Sequence, residues 1–353
     1  MSQLDPTANV VDLTRALVDI ESVSLDEAAI ADEVDRVLRD CAHLTVTRDG
    51  HTIIASTNLG KAERVTIAGH LDTVPVNNNL PSRIDGDLLY GLGTCDMKGG
   101  VPIALALAVT LENPTRDVTW VFYEAEEIAA IHNGLGRIAR TRPELLAADF
   151  AILMEPSNGQ VEAGCQGTLR FEVRTTGERA HSARAWMGHN AIHDLAPVLA
   201  ILADYQPANV EISGLTYREG LNAVGISGGI AGNVIPDEGI VTINFRFAPH
   251  RSEADALAHV KDVFAGYELT VTDSAPGALP GLERRAVADF VAATGGDVAP
   301  KFGWTDVAKF TLLGIPAVNF GPGDPAYAHK QDEHVPIAHL TRVNEALERW
   351  LTS

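Results

Sequence analysis

Apolar residues recur at helical spacing near the start of the chain: Val10, Leu13, Leu17 and Ile20, then Ile30, Val34 and Leu38. That spacing predicts an N-terminal helix and its continuation over residues 8–40. The period then shortens in LTVTRDGHTIIAST, where Asp49-Gly50 predicts a hairpin turn between two strands. RVTIAGH (64–70) reads as a buried strand ending at a histidine. The stretch after Asp96, KGGVPIALALAVTLE, is apolar almost all round, which predicts an internal helix. VTWVFYEAEE (118–127) reads as a second core strand ending in acids, and FAILMEP (150–156) as a third. Strands alternate with helices, and polar residues collect where strands end. In open α/β sheets, ligands bind outside the carboxyl ends of the strands.

From about 167 to 275 the pattern changes. TLRFEVRTT alternates with period two, NAIHDLAPVLAIL predicts a long helix, and NVEISGLTY, AVGISGGIAGNVIP and GIVTINFRFAP read as strands. A helix near 252–265 and the strand YELTVTDS complete a β-α-β-β-α-β order, which predicts a ferredoxin-like antiparallel domain. The chain then returns to α/β character in LPGLERRAVADFVAATGG, VAKFTLLG, IPAVNFGPG and a C-terminal helix over 339–352. The expected architecture is an α/β mixed-sheet domain over 1–166 and 276–353, interrupted by an α+β domain over 167–275. A chain of 353 residues suits two domains and a large core.

Composition narrows the partners. A formal charge of −20 disfavours nucleic acid and anionic membranes, although local cations in a cleft can still hold a small anion. No apolar run approaches the roughly 20 residues that span a bilayer. MSQLDPTANVVDLTRAL has no basic segment leading an apolar one, so a cytoplasmic protein is expected. Cys41, Cys95 and Cys165 fit no C-x-x-C spacing and read as free thiols.

Five segments carry side chains of the metal-ligating type. AGHLDTVP places His70 and Asp72 two residues apart, on the same side of an extended segment. His70 then reads as a ligand and Asp72 as the carboxylate that orients it. GTCDMKGG offers Asp96, whose two oxygens could bridge two ions. YEAEEIAA offers Glu126 and Glu127, which point apart at a strand end and should differ in role; MEPS offers Glu155 and AYAHKQDEH offers His329. Singly, each has a plainer reading. Asp96 could cap the following helix, the paired glutamates could open a solvated helix, and a histidine at a strand end is often just a satisfied polar residue. Their joint occurrence at strand ends favours a metal site.

Taken together, HLDTVP, G-x-G-x-C-D-M-K-G-G, the Glu pair after an apolar strand, Glu-Pro and the late histidine resemble the zinc aminoacylase/carboxypeptidase family of co-catalytic metallohydrolases. The resemblance covers essentially the whole chain. It implies two Zn2+ per subunit, with Co2+ a possible substitute. His70, Asp96 and Glu155 would hold one ion, and Asp96, Glu127 and His329 the other. Glu126 would be the general base. The resemblance also implies a homodimer formed through the inserted domain, which would act as a lid. His181, in GERAHSARAW, would reach a neighbouring subunit's site; without the resemblance it reads as a surface-loop histidine. Arg246, Asn233, Thr305 and Arg184 would contact a small anionic N-acyl amino acid, with Arg246 suited to a bidentate grip on its carboxylate. At 164–167 the chain reads GCQG, where other members often carry Arg or Lys, and Gln166 cannot pair with a carboxylate as a cation would.

Overall fold

The computed structural model describes residues 4–353 and divides into two compact units. The first comprises the chain up to Gly164 with Pro280–Ala299 and Thr305–Ser353; the second comprises Cys165–Leu279 and Pro300–Trp304. The short return at 300–304, which the sequence places in the α/β part, thus belongs to the smaller unit.

The first unit is built on a mixed eight-stranded sheet. From one edge, its strands are Thr45–Asp49, Thr52–Ser56, Asp117–Tyr123, Arg64–His70, Phe150–Leu153, Ala317–Asn319, Val161–Ala163 and Val298–Pro300. The first two form the expected hairpin, with Gly50 at φ 63° in its turn. Four central strands run parallel, with His70 in register with Tyr123, Ala68 with Leu153, and Leu153 with Asn319. Their carboxyl ends therefore share one edge. Every residue of Asp117–Tyr123 is buried, as a strand covered on both faces requires.

The helix Val101–Thr110 is internal, with Val101, Ile103, Ala104, Leu105, Leu107 and Ala108 all buried. It starts beside the Phe150–Leu153 strand, where a Cβ on Gly100 would fall 2.4 Å from the Met154 carbonyl oxygen. Only glycine allows that approach.

Two elements differ from expectation. Residues 8–40 form two helices, Val10–Val18 and Ala28–Arg39. In the connecting loop, Ser22 Oγ donates to the Leu71 carbonyl at 2.6 Å and Ser24 Oγ to Asp72 Oδ2 at 2.7 Å. Those serines bind strand-end groups instead of continuing a helix. The strand expected through Glu127 stops at Tyr123, because Ala125 takes a positive φ of 57° and turns the chain.

The second unit has a four-stranded antiparallel sheet in the order Gly220–Gly228, Glu238–Phe247, Gly167–Thr176, Leu269–Ala275. The helices Ala196–Asp204 and Glu253–Val263 supply Val198, Ala256 and Val260 to a core that includes Phe171, Val241 and Phe245. This is the ferredoxin-like arrangement. A separate hairpin, Asn209–Ile212 with Leu215–Arg218, is added to it.

Candidate metal centre

His70 is the last residue of its strand and is almost wholly buried. Its Nδ1 lies 3.1 Å from the backbone carbonyl of Asp72 and 3.4 Å from Asp72 Oδ1. A carbonyl can only accept, so Nδ1 carries the proton and Nε2 is left for the site. That Nε2 faces Asp96 Oδ1 at 3.1 Å. The other oxygen of Asp96, Oδ2, lies 3.3 Å from His329 Nε2, and His329 Nε2 lies 2.9 Å from Glu127 Oε1. One carboxylate thus stands between two imidazoles, presenting a different oxygen to each. Asp96 does not cap the next helix, whose N-cap position is Gly100.

Asp72 organises the neighbouring turn as well. Its Oδ1 accepts the Glu126 N–H at 3.0 Å, and its Oδ2 accepts the Glu127 N–H at 3.1 Å together with Ser24 Oγ. One buried carboxylate therefore fixes both the imidazole and the paired glutamates.

Charge in the cluster is mutually dependent. Burial opposes ionisation of Asp96, but hydrogen bonds from His329 and His70 hold its carboxyl well below the ordinary range. Asp96 and Glu127 raise His329 to about 10. Burial opposes protonation of His70, yet Asp72 and Asp96 together raise it well above the ordinary imidazole value. Glu126 is shifted well upward by burial and by the negative charges of Asp306, Glu155 and Glu127, with His70 opposing. Its carboxyl makes no metal-type contact with the imidazoles, unlike that of Glu127.

The donor set fits divalent cations. Ligand atoms of His70, Asp96 and Glu127 all lie within 4.8 Å of one another. Imidazole and carboxylate donors suit zinc and its first-row neighbours. Glu155, two residues past the Phe150–Leu153 strand, stands close enough for its charge to raise Glu126 and Tyr123. It is not among the three residues whose ligand atoms cluster within 4.8 Å. Thr305 is buried, and its hydroxyl donates to Asn319 Oδ1 at 2.9 Å.

A profile of the peptidase family M20/M25/M40 matches residues 66–353. The chain belongs to this family. A Mycobacterium tuberculosis relative, provisionally assigned as a succinyl-diaminopimelate desuccinylase, is 55% identical over 351 residues, covering 99% of both chains. Succinyl-diaminopimelate desuccinylase of Corynebacterium glutamicum is 47% identical over 360 residues, covering 99% of this chain and 98% of that one. Among solved M20 structures, a metallo-carboxypeptidase from Sulfolobus solfataricus matches with a TM-score of 0.80 at 17% identity, over 98% of this chain and 99% of that one. A dinuclear metal-binding peptidase from Bacillus subtilis matches with a TM-score of 0.66 at 18% identity, over 97% and 96%. Membership of M20 makes the chain a metal-dependent hydrolase of amide bonds, as its motifs predicted. Among the described residues no helix is long and apolar enough to cross a membrane.

The four remaining candidates outside the metal cluster lie in the second unit. His181 and Asn233 are neighbours there: Ser182 N–H donates to the Asn233 carbonyl at 2.9 Å, and His181 bridges Val234. His181 Nδ1 accepts the Ala183 N–H at 3.0 Å, which leaves Nε2 free to donate. Arg184 is exposed at a kink in the same loop. Arg246 sits apart on the sheet, paired with Thr168 and Gly220. Its half-buried guanidinium makes no hydrogen bond or ion pair with the described residues, and burial followed by the like charge of Arg170 lowers its pKa. Gln166 is buried and donates its Nε2–H to the Arg218 carbonyl at 2.7 Å.

Three buried neighbours of the cluster escaped the sequence reading. Glu333 and Lys98 are buried beside the Asp96 segment, and Glu27 accepts the Ala125 N–H at 3.1 Å just before the paired glutamates. Asp306, which the sequence sets beside Thr305 in GWTDVAKF and which was not missed, is fully buried and bonded to Asn133 and Lys309. Only the clustering of acids in AYAHKQDEH could have pointed to Glu333.

Proposed function

We propose that this protein hydrolyses N-succinyl-LL-2,6-diaminopimelate to succinate and LL-2,6-diaminopimelate, a step in making lysine and cell-wall precursors. The observation that carries the reading is full-length identity of 47% to the Corynebacterium glutamicum desuccinylase. The segments GWTDVAKF and NFGPGDPAYAHKQDEHVPI, around Thr305 and His329, support the same substrate.

In this reading two zinc ions would be held, one by His70, Asp96 and Glu155 and the other by Asp96, Glu127 and His329. Once bound, such a pair polarises the scissile carbonyl and lowers the pKa of water towards neutrality. Glu126 takes the proton from the attacking water and passes it to the leaving amine. Its upward shift suits that return, because an acid must form before the amine departs. Asp72 keeps the His70 proton on Nδ1 and holds the Glu126 backbone still. His181 donates Nε2–H to the developing oxyanion. Arg246 receives a substrate carboxylate, and Asn233, Arg184 and Thr305 contact other parts of the substrate. Gln166, already committed to a backbone carbonyl, leaves that charge to Arg246.

The chain is read as a homodimer joined through its second unit. The outer strand Gly220–Gly228 is exposed from Asn222 onward, with Val224 and Ile226 uncovered, and the apolar helix Ala196–Asp204 buries only Val198. An unpaired apolar edge favours a second copy of the same strand. His181→Ala chains mixed with Glu126→Gln chains should regain activity, and verified heterodimers without it would oppose action of His181 in the partner's site.

A substrate panel tests the function. N-succinyl-LL-2,6-diaminopimelate should be turned over far faster than N-acetylornithine, simple N-acyl amino acids or dipeptides. A preference for any of these would replace the proposed substrate.

A further inference from the structure

Asp96 hangs from a segment of turns, residues 91–100, with no strand or helix to fix it. Hydrogen bonds from elsewhere must hold it. Glu333 is only 1% exposed, and both of its carboxylate oxygens are spent on this segment. Oε1 accepts the N–H groups of Cys95 at 2.9 Å and Asp96 at 3.0 Å, while Oε2 accepts that of Gly93 at 3.0 Å. The backbone adds to the clamp, since the Gly91 N–H donates to the Glu333 carbonyl at 3.1 Å. The Cys95 thiol donates to the His334 carbonyl at 3.0 Å. Glu333 follows His329 by four residues, so one short strap carries a metal-type imidazole at one end and this clamp at the other.

We infer that Glu333 is the positioning residue for the Asp96 carboxylate: by gripping the Gly93–Asp96 backbone it sets the spacing between the Asp96 oxygens and the His329 imidazole. The inference rests on the two-metal reading above. A carboxylate suits this task because it accepts at both ends, whereas an amide would set an N–H against an N–H. Outer partners of metal ligands usually contribute about 10–100-fold in metal affinity.

Glu333→Gln tests the role, with Asp117→Asn as the comparison. Asp117 is also a buried carboxylate and accepts Thr57 Oγ1 at 3.0 Å and the N–H groups of Leu59 at 2.7 Å and Lys61 at 2.9 Å. It begins the strand whose far end leads to Glu126, so it is equally structural but remote from the metals. Metal-free proteins are titrated with zinc against a chromophoric chelator, and the absorption bands of the cobalt forms report ligand geometry. Wild type should bind two equivalents. Glu333→Gln should weaken binding by about 10–100-fold and alter the cobalt bands, while Asp117→Asn should lose stability and leave both unchanged. Equal metal affinity in Glu333→Gln and wild type, or equal loss in Asp117→Asn, overturns the inference. If Glu333→Gln does not fold, Glu333→Asp retains the charge but shortens the reach by one methylene. It should weaken binding in the same direction, and unchanged affinity there is equally fatal. A wild-type protein that binds no metal would instead overturn the metal reading and this inference with it.

Discussion

Replacing Asp72 by Asn probes the link between strand-end geometry and metal binding. The carboxylate accepts from Ser24 Oγ at 2.7 Å, Glu126 N–H at 3.0 Å and Glu127 N–H at 3.1 Å, and lies 3.4 Å from His70 Nδ1. Asn has a single acceptor oxygen. The amide should place that oxygen towards Glu126 and His70, because the Ser24 hydroxyl, unlike an N–H, can reverse and accept from the new NH2. Glu127 N–H is then left against an NH2 group, which costs about 1–3 kcal/mol. The bond to Glu126 loses its ionic character, which costs roughly 1 kcal/mol more. The sum, about 2–4 kcal/mol, falls on the turn that carries Glu127. Zinc affinity should therefore fall by about 10–100-fold, and the urea midpoint of the metal-free protein should drop. Competition with a chelator and denaturation at neutral pH measure the two. The wild-type carboxyl is held below its ordinary value of 3.8, so its stabilising effect is intact at that pH and is lost only as pH falls through the lowered value. Zinc affinity within threefold of wild type, with an unmoved midpoint, would refute the reasoning.

Glu126→Gln should retain both metals and a near-normal KM while kcat falls by about 10²–10⁴, since the Glu126 backbone N–H still reaches Asp72; unchanged kcat would remove Glu126 from the role of base. Metal loading at pH 7 should expel protons, because His329 is raised to about 10 and His70 well above the ordinary value. Apparent affinity should then rise with pH up to about 10, and calorimetry in buffers of different ionisation heat should detect the release. In the metal-free chain the same His329 contacts stabilise fully below about 6.5 and fade as pH passes about 10. Arg246→Ala should raise KM for the succinylated substrate by at least about tenfold, a loss consistent with a charged hydrogen bond of roughly 1.5–3 kcal/mol; an unchanged KM would move the carboxylate partner elsewhere.

The positions that the sequence revealed were those set by local periodicity. Arg64–His70 and Phe150–Leu153 read directly as buried strands, and their polar ends marked the site, because parallel strands bring their carboxyl ends to one edge. The metal-type residues followed from that placement. Breaks in periodicity were less legible. Residues 19–27 interrupt a helical pattern because Ser22 and Ser24 bind groups about fifty positions away, which no local window contains. Glu333 was hidden for the same reason: its partners are backbone amides more than 230 residues earlier. Its side chain looked like any acid in a polar loop. Gln166 was legible by type alone, as a side chain that cannot pair with a carboxylate as a cation would, and its amide is engaged with the Arg218 carbonyl 52 positions away.

We propose that Asp96 would lie between two metal ions, since it faces His70 with one oxygen and His329 with the other. Anomalous diffraction from crystals grown with zinc, recorded on both sides of the zinc absorption edge, tests it most directly. Two peaks per chain are expected, flanking the Asp96 carboxylate, one beside His70 and Glu155 and the other beside Glu127 and His329. An absence of peaks there, or a single peak that leaves one Asp96 oxygen bonded to imidazole, would contradict the account.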